Sequence, residues 1–339
     1  METTLFEVGG KAFPSIDLHG FSPQEWDDYR SKSLHIGGSD IGTILGVNKY
    51  KDAITLFCEK TGFIKSEFVP NDYTEGGHID EAGILKRLEH FDGFQWAANV
   101  RPGKTFRKIE KPDRTFFPTK HPWLAANVDG IIEYDIDFPN ETGIAEAKKI
   151  SGSVLAAAPG GCPPSYLGQV VGYMLGLELP FARIALLEDG VRLHVRTLST
   201  DMPGYEEIAE RILLSCPRFY QAVLDGVQVM ASTTERDKQT ALLMEVIGEY
   251  EDVLRVTHLS KDYLNAIASD DRKGTIQDTG MDGVLLAYEK AEKALNAATQ
   301  AEGRIKNELI EYLMQNNASV LEGSSHRAAY NKRFTFKKL

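Results

Sequence analysis

The chain has 339 residues, with 38 Lys and Arg against 49 Asp and Glu, a net charge of −11 at neutral pH. That length buries a substantial core and allows one large domain with an appendage or two domains, and 42% hydrophobic with 26% charged residues is globular composition that excludes a disordered chain. The acidic balance argues against a general nucleic-acid coat protein, and the widely spaced Cys58, Cys162 and Cys216 offer neither a disulfide framework nor a zinc or iron–sulfur site.

The first twenty residues, with scattered Gly, Pro and charge, read as an extended arm. Ser22-Pro23-Gln24-Glu25 starts a helix: Ser caps, Pro suits the first turn and Glu25 reaches back as a capping box. Further helices are expected from Ser39 to Leu45 and from Ala53 to Lys60, the latter stopped by Gly62. Residues 79 to 92 form an amphipathic helix, with Ile84, Leu85, Leu88 and Phe91 at helical spacing. From 94 to 150 the pattern changes to short strands: Gln95 to Val100, Phe116 to Pro118, Leu124 to Asp129, Gly130 to Tyr134 and Gly143 to Lys148. The Pro- and Gly-rich residues 156 to 165 are a loop. Tyr166 to Leu177 is helical, Arg183 to Leu187 and Arg192 to Leu198 pair across Glu188-Asp189-Gly190, and Tyr205 to Leu224 is helical.

After Ser232 the character shifts. Leu243, Val246, Tyr250, Val253 and Thr257 recur at helical spacing, as do Tyr288, Ala291, Leu295, Ala298, Glu302, Ile305, Leu309 and Tyr312, which predicts an antiparallel helical hairpin. Glu302 interrupts its apolar seam. Residues 330 to 339 alternate like a strand with a basic face. The expected division is a domain at 1–230 and a helical appendage at 231–339. No apolar run reaches membrane-spanning length, and the amino terminus lacks a basic segment followed by an apolar one, so a cytoplasmic location without a membrane partner is expected.

Chemistry concentrates between His121 and Lys148. In Glu146-Ala147-Lys148 a spacing of two on a strand points both side chains to one face. Asp129 closes the preceding run just before Gly130, where a turn can carry its carboxylate to the same spot. Two carboxylates and a lysine can hold a hard divalent cation and neutralise charge building on phosphorus. Taken singly, Asp-Gly is a common hairpin signal and Glu-x-Lys a common solvated pair. No Walker loop follows Gly37, Gly38, Gly42 and Gly46, and His35, His78 and His121 lack zinc-ligand spacing.

The ordered series Ile36-Gly37-Gly38-Ser39-Asp40-Ile41, Gly77-His78-Ile79-Asp80-Glu81-Ala82, Asp129-Gly130, Glu146-x-Lys148 and Tyr166-x-x-Gln169 resembles the phage lambda exonuclease and YqaJ-like viral recombinase family, over roughly residues 22 to 225. The resemblance implies a restriction-endonuclease-like α/β core, a central mixed sheet flanked by helices, with the carboxy-terminal hairpin and strand appended. It implies Mg²⁺, with Mn²⁺ as a substitute, held by Asp129, Glu146 and the Ala147 carbonyl. Lys148 would orient or deprotonate the attacking water, Glu81 would support a second metal or its surrounding water, and Gln169 would hold a water or phosphate. Ser39, at a helix start, and Arg30 and Asn127 match positions contacting the DNA 5′-phosphate. Asn127 departs from the family's Ser or Thr, and Lys149-Ile150-Ser151 replaces its Cys-Pro.

Seven cations against two carboxylates between Arg101 and Lys120 give a local net of +5, and a second basic cluster ends the chain. Lys104, Arg107 and Lys108 are therefore candidate DNA-backbone contacts, the plainer reading being a solvated surface, and the resemblance adds Lys149 as a substitute for the family's basic residue downstream of Glu146-x-Lys148. The implied activity is 5′-to-3′ hydrolysis of duplex DNA ends, leaving 3′ single strands for recombination by annealing. The implied assembly is a homotrimer with a single-strand annealing protein as partner. The rivals are an endonuclease of the same fold and a non-catalytic DNA-binding assembly factor.

Overall fold

Gly143–Ile150 is the central strand of a five-stranded sheet, and its burial is nearly continuous along both faces. A computed structural model describes residues 3–22, 25, 29, 33–65, 72–91, 106–267, 282–315, 320–322, 326–330 and 334–338. In the five-stranded sheet, Gly143–Ile150 pairs in parallel with Phe181–Glu188 and antiparallel with Gly130–Asp135. Arg192–Ser199 and Arg107–Glu110 form the two edges, so the sheet is mixed. Parallel neighbours require a crossover, and the helix Pro164–Leu177 lies in that connection.

Side-chain alternation separates the two faces. Ile144, Ile184 and Leu186 join Val170, Val171 and Met174 of the Pro164 helix in the larger core. Ala145, Ala147 and Ala185 face Ile84, Leu85 and Leu88 of the helix Asp72–Glu89 in a second core. A sheet buried on both faces explains why its central strands are mostly apolar, with Glu146, Lys148 and Arg183 among the polar exceptions.

The amino-terminal arm is a hairpin, Thr4–Val8 with Lys11–Asp17, turning at Gly9 and Gly10 with φ of 58° and 74°. Two positive-φ residues are what a type I′ turn needs, and Gly supplies them without steric cost. Arg114–Phe116 adds a third strand to this hairpin. Ser22 and Glu25 exchange the expected capping bonds, Glu25 Oε2 accepting the Ser22 N–H at 2.9 Å and Ser22 Oγ the Glu25 N–H at 3.3 Å. The expected strand Gln95 to Val100 lies outside the described residues.

Two helices close against each other through glycines. A Cβ on Gly38 would meet the Tyr173 ring at 2.4 Å, on Gly42 would meet Ser165 Cβ at 2.9 Å, and on Gly172 would meet Ile41 at 2.2 Å. The helix Gly38–Ile44 is thereby clamped to the Pro164 helix at backbone distance.

The chain divides into two compact units, Met1–Ser269 and Asp270–Leu339, rather than near residue 230. Helices Arg236–Glu249 and Lys261–Ile267 belong to the first unit, where Leu243, Tyr250, Leu254 and Tyr263 are buried in the main core. The helix at Leu243 stops at Glu249 and packs on the long helix Tyr205–Ser232, so its apolar seam serves that contact instead of one arm of a hairpin. Among the described residues, the second unit holds the helix Asp282–Gln315 and an antiparallel sheet of Val320–Glu322, His326–Tyr330 and Phe334–Lys338.

Candidate active site

The strand register brings the carboxylates together. Gly130 pairs with Ala145, so continuing the antiparallel register by one residue places Asp129 opposite Glu146. Asp129 Oδ2 accepts the Ala147 N–H at 2.8 Å. Because the N–H and C=O of a strand residue point to the same side, the Ala147 carbonyl also faces Asp129. Gly130 has another role than the expected turn: it is the first residue of its strand, and a Cβ there would meet Ile109 at 2.6 Å.

Glu146 is fully buried. Its Oε1 accepts from Lys148 Nζ and from Gln169 Nε2, each at 2.5 Å, whereas its Oε2 is buried with no hydrogen-bond partner. Burial, reinforced by the Asp129 charge, pushes the Glu146 carboxyl up to about 8. Burial raises Asp129 too; Lys148 and the Ala147 N–H offset this in part, while the Glu81 charge adds to it. Burial works against the Lys148 charge, but Glu146 and Asp129 outweigh it and hold the ammonium above the ordinary lysine range. Two crowded carboxylates with a single ammonium lack positive charge.

A divalent cation fits this deficit. The donors are hard oxygens, and Mg²⁺ commonly takes one or two carboxylates with waters and phosphate for the rest. The partnerless Glu146 Oε2, Asp129 and the Ala147 carbonyl are the atoms that would hold it. Among the described residues, no group of three or more His, Cys, Asp or Glu converges as a metal cluster. Glu81 acts electrostatically on both carboxylates but is tied to Lys111 Nζ at 3.1 Å.

Gln169 lies one helical turn from Tyr173, and its Nε2 reaches both Glu146 and the Tyr173 hydroxyl, the latter at 3.3 Å. Burial and the neighbouring Glu146 raise the Tyr173 hydroxyl. Tyr173 was not singled out from the sequence, although Gln169 and Tyr173 at i and i+4 share a helix face. Ser39 is the exposed second residue of the helix Gly38–Ile44, and Asn127 is half-buried two residues before Asp129.

The expected DNA-backbone track dissolves into ion pairs. Arg107 is buried, donating to Asp135 at 2.7 Å from inside the sheet, and cannot meet a phosphate there. Lys108 is exposed and bound to Glu133, Lys111 holds Glu81, Arg114 lies 2.7 Å from Asp17, and Lys120 lies 2.8 Å from Glu178. Lys149 pairs with Asp80 at 2.7 Å. Carboxylates remote in sequence thus neutralise most of the local excess. Arg30, Arg101 and Lys104 lie outside the described residues, as do the side chains of the carboxy-terminal basic cluster.

Residues 25–176 match the family model described as the YqaJ-like viral recombinase domain. The uncharacterized protein YqaJ of Bacillus subtilis strain 168 is 28% identical over 213 residues, a match covering 62% of this chain and 59% of that protein's own length. Among solved structures, an alkaline exonuclease from Laribacter hongkongensis superposes with a TM-score of 0.42 at 12% identity, over 62% of this chain and 98% of that one. A phage-related exonuclease from Haemophilus somnus 129PT superposes with a TM-score of 0.32 at 15% identity, over 56% and 95%. No helix among the described residues is long and apolar enough to cross a membrane.

Proposed function

We propose, from the match of residues 25–176 to the YqaJ-like viral recombinase domain, that this chain is a metal-dependent deoxyribonuclease acting on duplex ends. The observation that carries the reading is the convergence of half-buried Asp129 and Lys148 on fully buried Glu146, which keeps one oxygen without a partner. A divalent cation bound by Asp129, Glu146 and the Ala147 carbonyl would supply Lewis-acid charge to a phosphate oxygen.

The chain's own groups do the rest. Lys148 carries a positive charge beside the carboxylates and offers its remaining N–H donors to the scissile phosphate. Gln169 fixes the Glu146 carboxylate by its amide, and Tyr173, pressed on Gly38, fixes Gln169. Burial excludes bulk water and makes each of these charges count for more than in solvent. We extend the proposal to 5′-to-3′ resection that leaves 3′ single strands for annealing-type recombination, in the cytoplasm, by a homotrimer working beside an annealing protein. Support for this extension is the recombinase family and the motif order.

The test is digestion of linear duplex, 5′-phosphorylated or not, beside covalently closed circles, with Mg²⁺, with Mn²⁺ and with chelator. Release of nucleotides from the 5′ ends of linear DNA only, dependent on the cation, is expected. Cutting of closed circles would replace the exonuclease with an endonuclease, and cation-independent cutting would remove the metal.

A further inference from the structure

The loop that follows the helix Gly38–Ile44 presents an aromatic ring to solvent beside the site. Tyr50 is 89% exposed, although the chain that carries it is tightly held. The N–H groups of Val47 and Asn48 both donate to the Gly42 carbonyl, at 2.9 and 3.0 Å. Asn48 Nδ2 donates to Thr43 Oγ1 at 2.8 Å, and its Oδ1 accepts the Tyr50 N–H at 2.9 Å. Gly42 in turn sits against Ser165, the residue before Tyr166. Lys148 Nζ is 5.8 Å from the Tyr166 ring centre, and Lys148 and Tyr50 both act on the Tyr166 hydroxyl. An ordered loop therefore holds an exposed ring near Tyr166, whose own ring lies beside Lys148.

The neighbours of the ring suit a nucleic-acid strand. Lys49 and Lys51 flank it; Lys51 is bound to Glu59 at 2.5 Å, while Lys49 has no carboxylate partner among the described residues. A basic residue beside an exposed aromatic is the combination that binds single strands, the cation taking phosphate and the ring taking the face of a base. A base offers its face only when it is terminal or unpaired. We propose that Tyr50 is a stacking platform for a terminal or unpaired base of the strand entering the Asp129–Glu146–Lys148 site, with Lys49 neutralising the adjacent phosphate. This rests on the nuclease reading above.

The experiment uses the full chain and linear duplex carrying 2-aminopurine at the 5′-terminal position. Loss of one stacked base should raise the KM of Tyr50→Ala by about 5- to 150-fold while kcat changes little, and Tyr50→Phe, which keeps the ring, should restore the wild-type KM. In chelator, wild type and Tyr50→Phe should quench the terminal 2-aminopurine and Tyr50→Ala should not. Tyr50→Ala with a wild-type KM, or Tyr50→Phe as impaired as Tyr50→Ala, overturns the platform. Failure of the nuclease reading looks different: the wild-type chain then cuts no DNA, and the quenching arm alone decides whether the ring binds a base.

Discussion

Two buried carboxylates on adjacent strands have opposite fates. Asp135 and Glu146 are both fully buried, but Asp135 is saturated. Arg107 Nε and Arg183 Nε donate to its Oδ2 at 2.7 and 3.0 Å, and an Arg183 terminal nitrogen and the Asp137 N–H each donate to its Oδ1 at 2.9 Å. Burial alone would raise Asp135, yet the Arg183 bond, the Asp137 N–H and the charge of Arg107 outweigh it and hold the carboxyl below its ordinary value. Glu146 has one lysine, a second carboxylate nearby and an unpartnered oxygen, and its carboxyl is raised. Burial of charge is common to both; the deficit of partners is what separates a site from a structural pair.

The comparison predicts its largest effect at Asp135. Asp135→Asn leaves two buried guanidinium groups with only the exposed Asp137 as a carboxylate partner and should cost about 3–5 kcal/mol of stability, read by urea unfolding; a loss within error would reduce the network to ornament. At the other carboxylate the damage should fall on chemistry. Asp129→Ala, Glu146→Gln and Lys148→Ala should each lower cleavage by about 100-fold or more in proteins that remain folded by circular dichroism. A variant with wild-type rate would take its residue out of the mechanism.

A sharper contrast comes from heating in chelator. Glu146→Gln removes an under-neutralised buried charge and should melt above wild type, the reverse of Asp135→Asn; a fall matching Asp135→Asn would mean that Glu146 is structural as well. The pH dependence follows from the depressed Asp135 value. Its stabilising contribution is complete above the unfolded-state value of about 4 and is lost as pH falls through the lower folded-state value. Urea stability should drop on the acid side, less steeply in Asp135→Asn, and equal slopes would refute the assignment. The smallest effect is expected at Lys108, whose partner Glu133 is also on the surface. Lys108→Ala should leave the melting temperature unchanged, whereas Arg107→Ala should destabilise the protein.

Much was legible in the residues themselves. Period-two spacing set Glu146 and Lys148 on one face of a strand, helical spacing located the helix of Ile84, Leu85 and Leu88, and Ser22 with Glu25 announced a cap that forms. These are local relations, governed by backbone geometry that each segment carries with it. The basic tract misled because charge in sequence carries no information on its partners. Asp135, Glu133, Asp17 and Glu178 arrive from other segments only when the sheet registers close.

What the sequence by itself determined, then, was the set of chemical groups and the faces on which they lie. Tertiary structure decided which of them meet. It set Asp129 opposite Glu146, left one glutamate oxygen without a partner, buried Arg107 and brought the Tyr50 loop to Tyr166 through contacts between Gly42 and Ser165. The reason is physical: ionisation and pairing depend on distance and on excluded water, and both are properties of packed segments far apart in the chain.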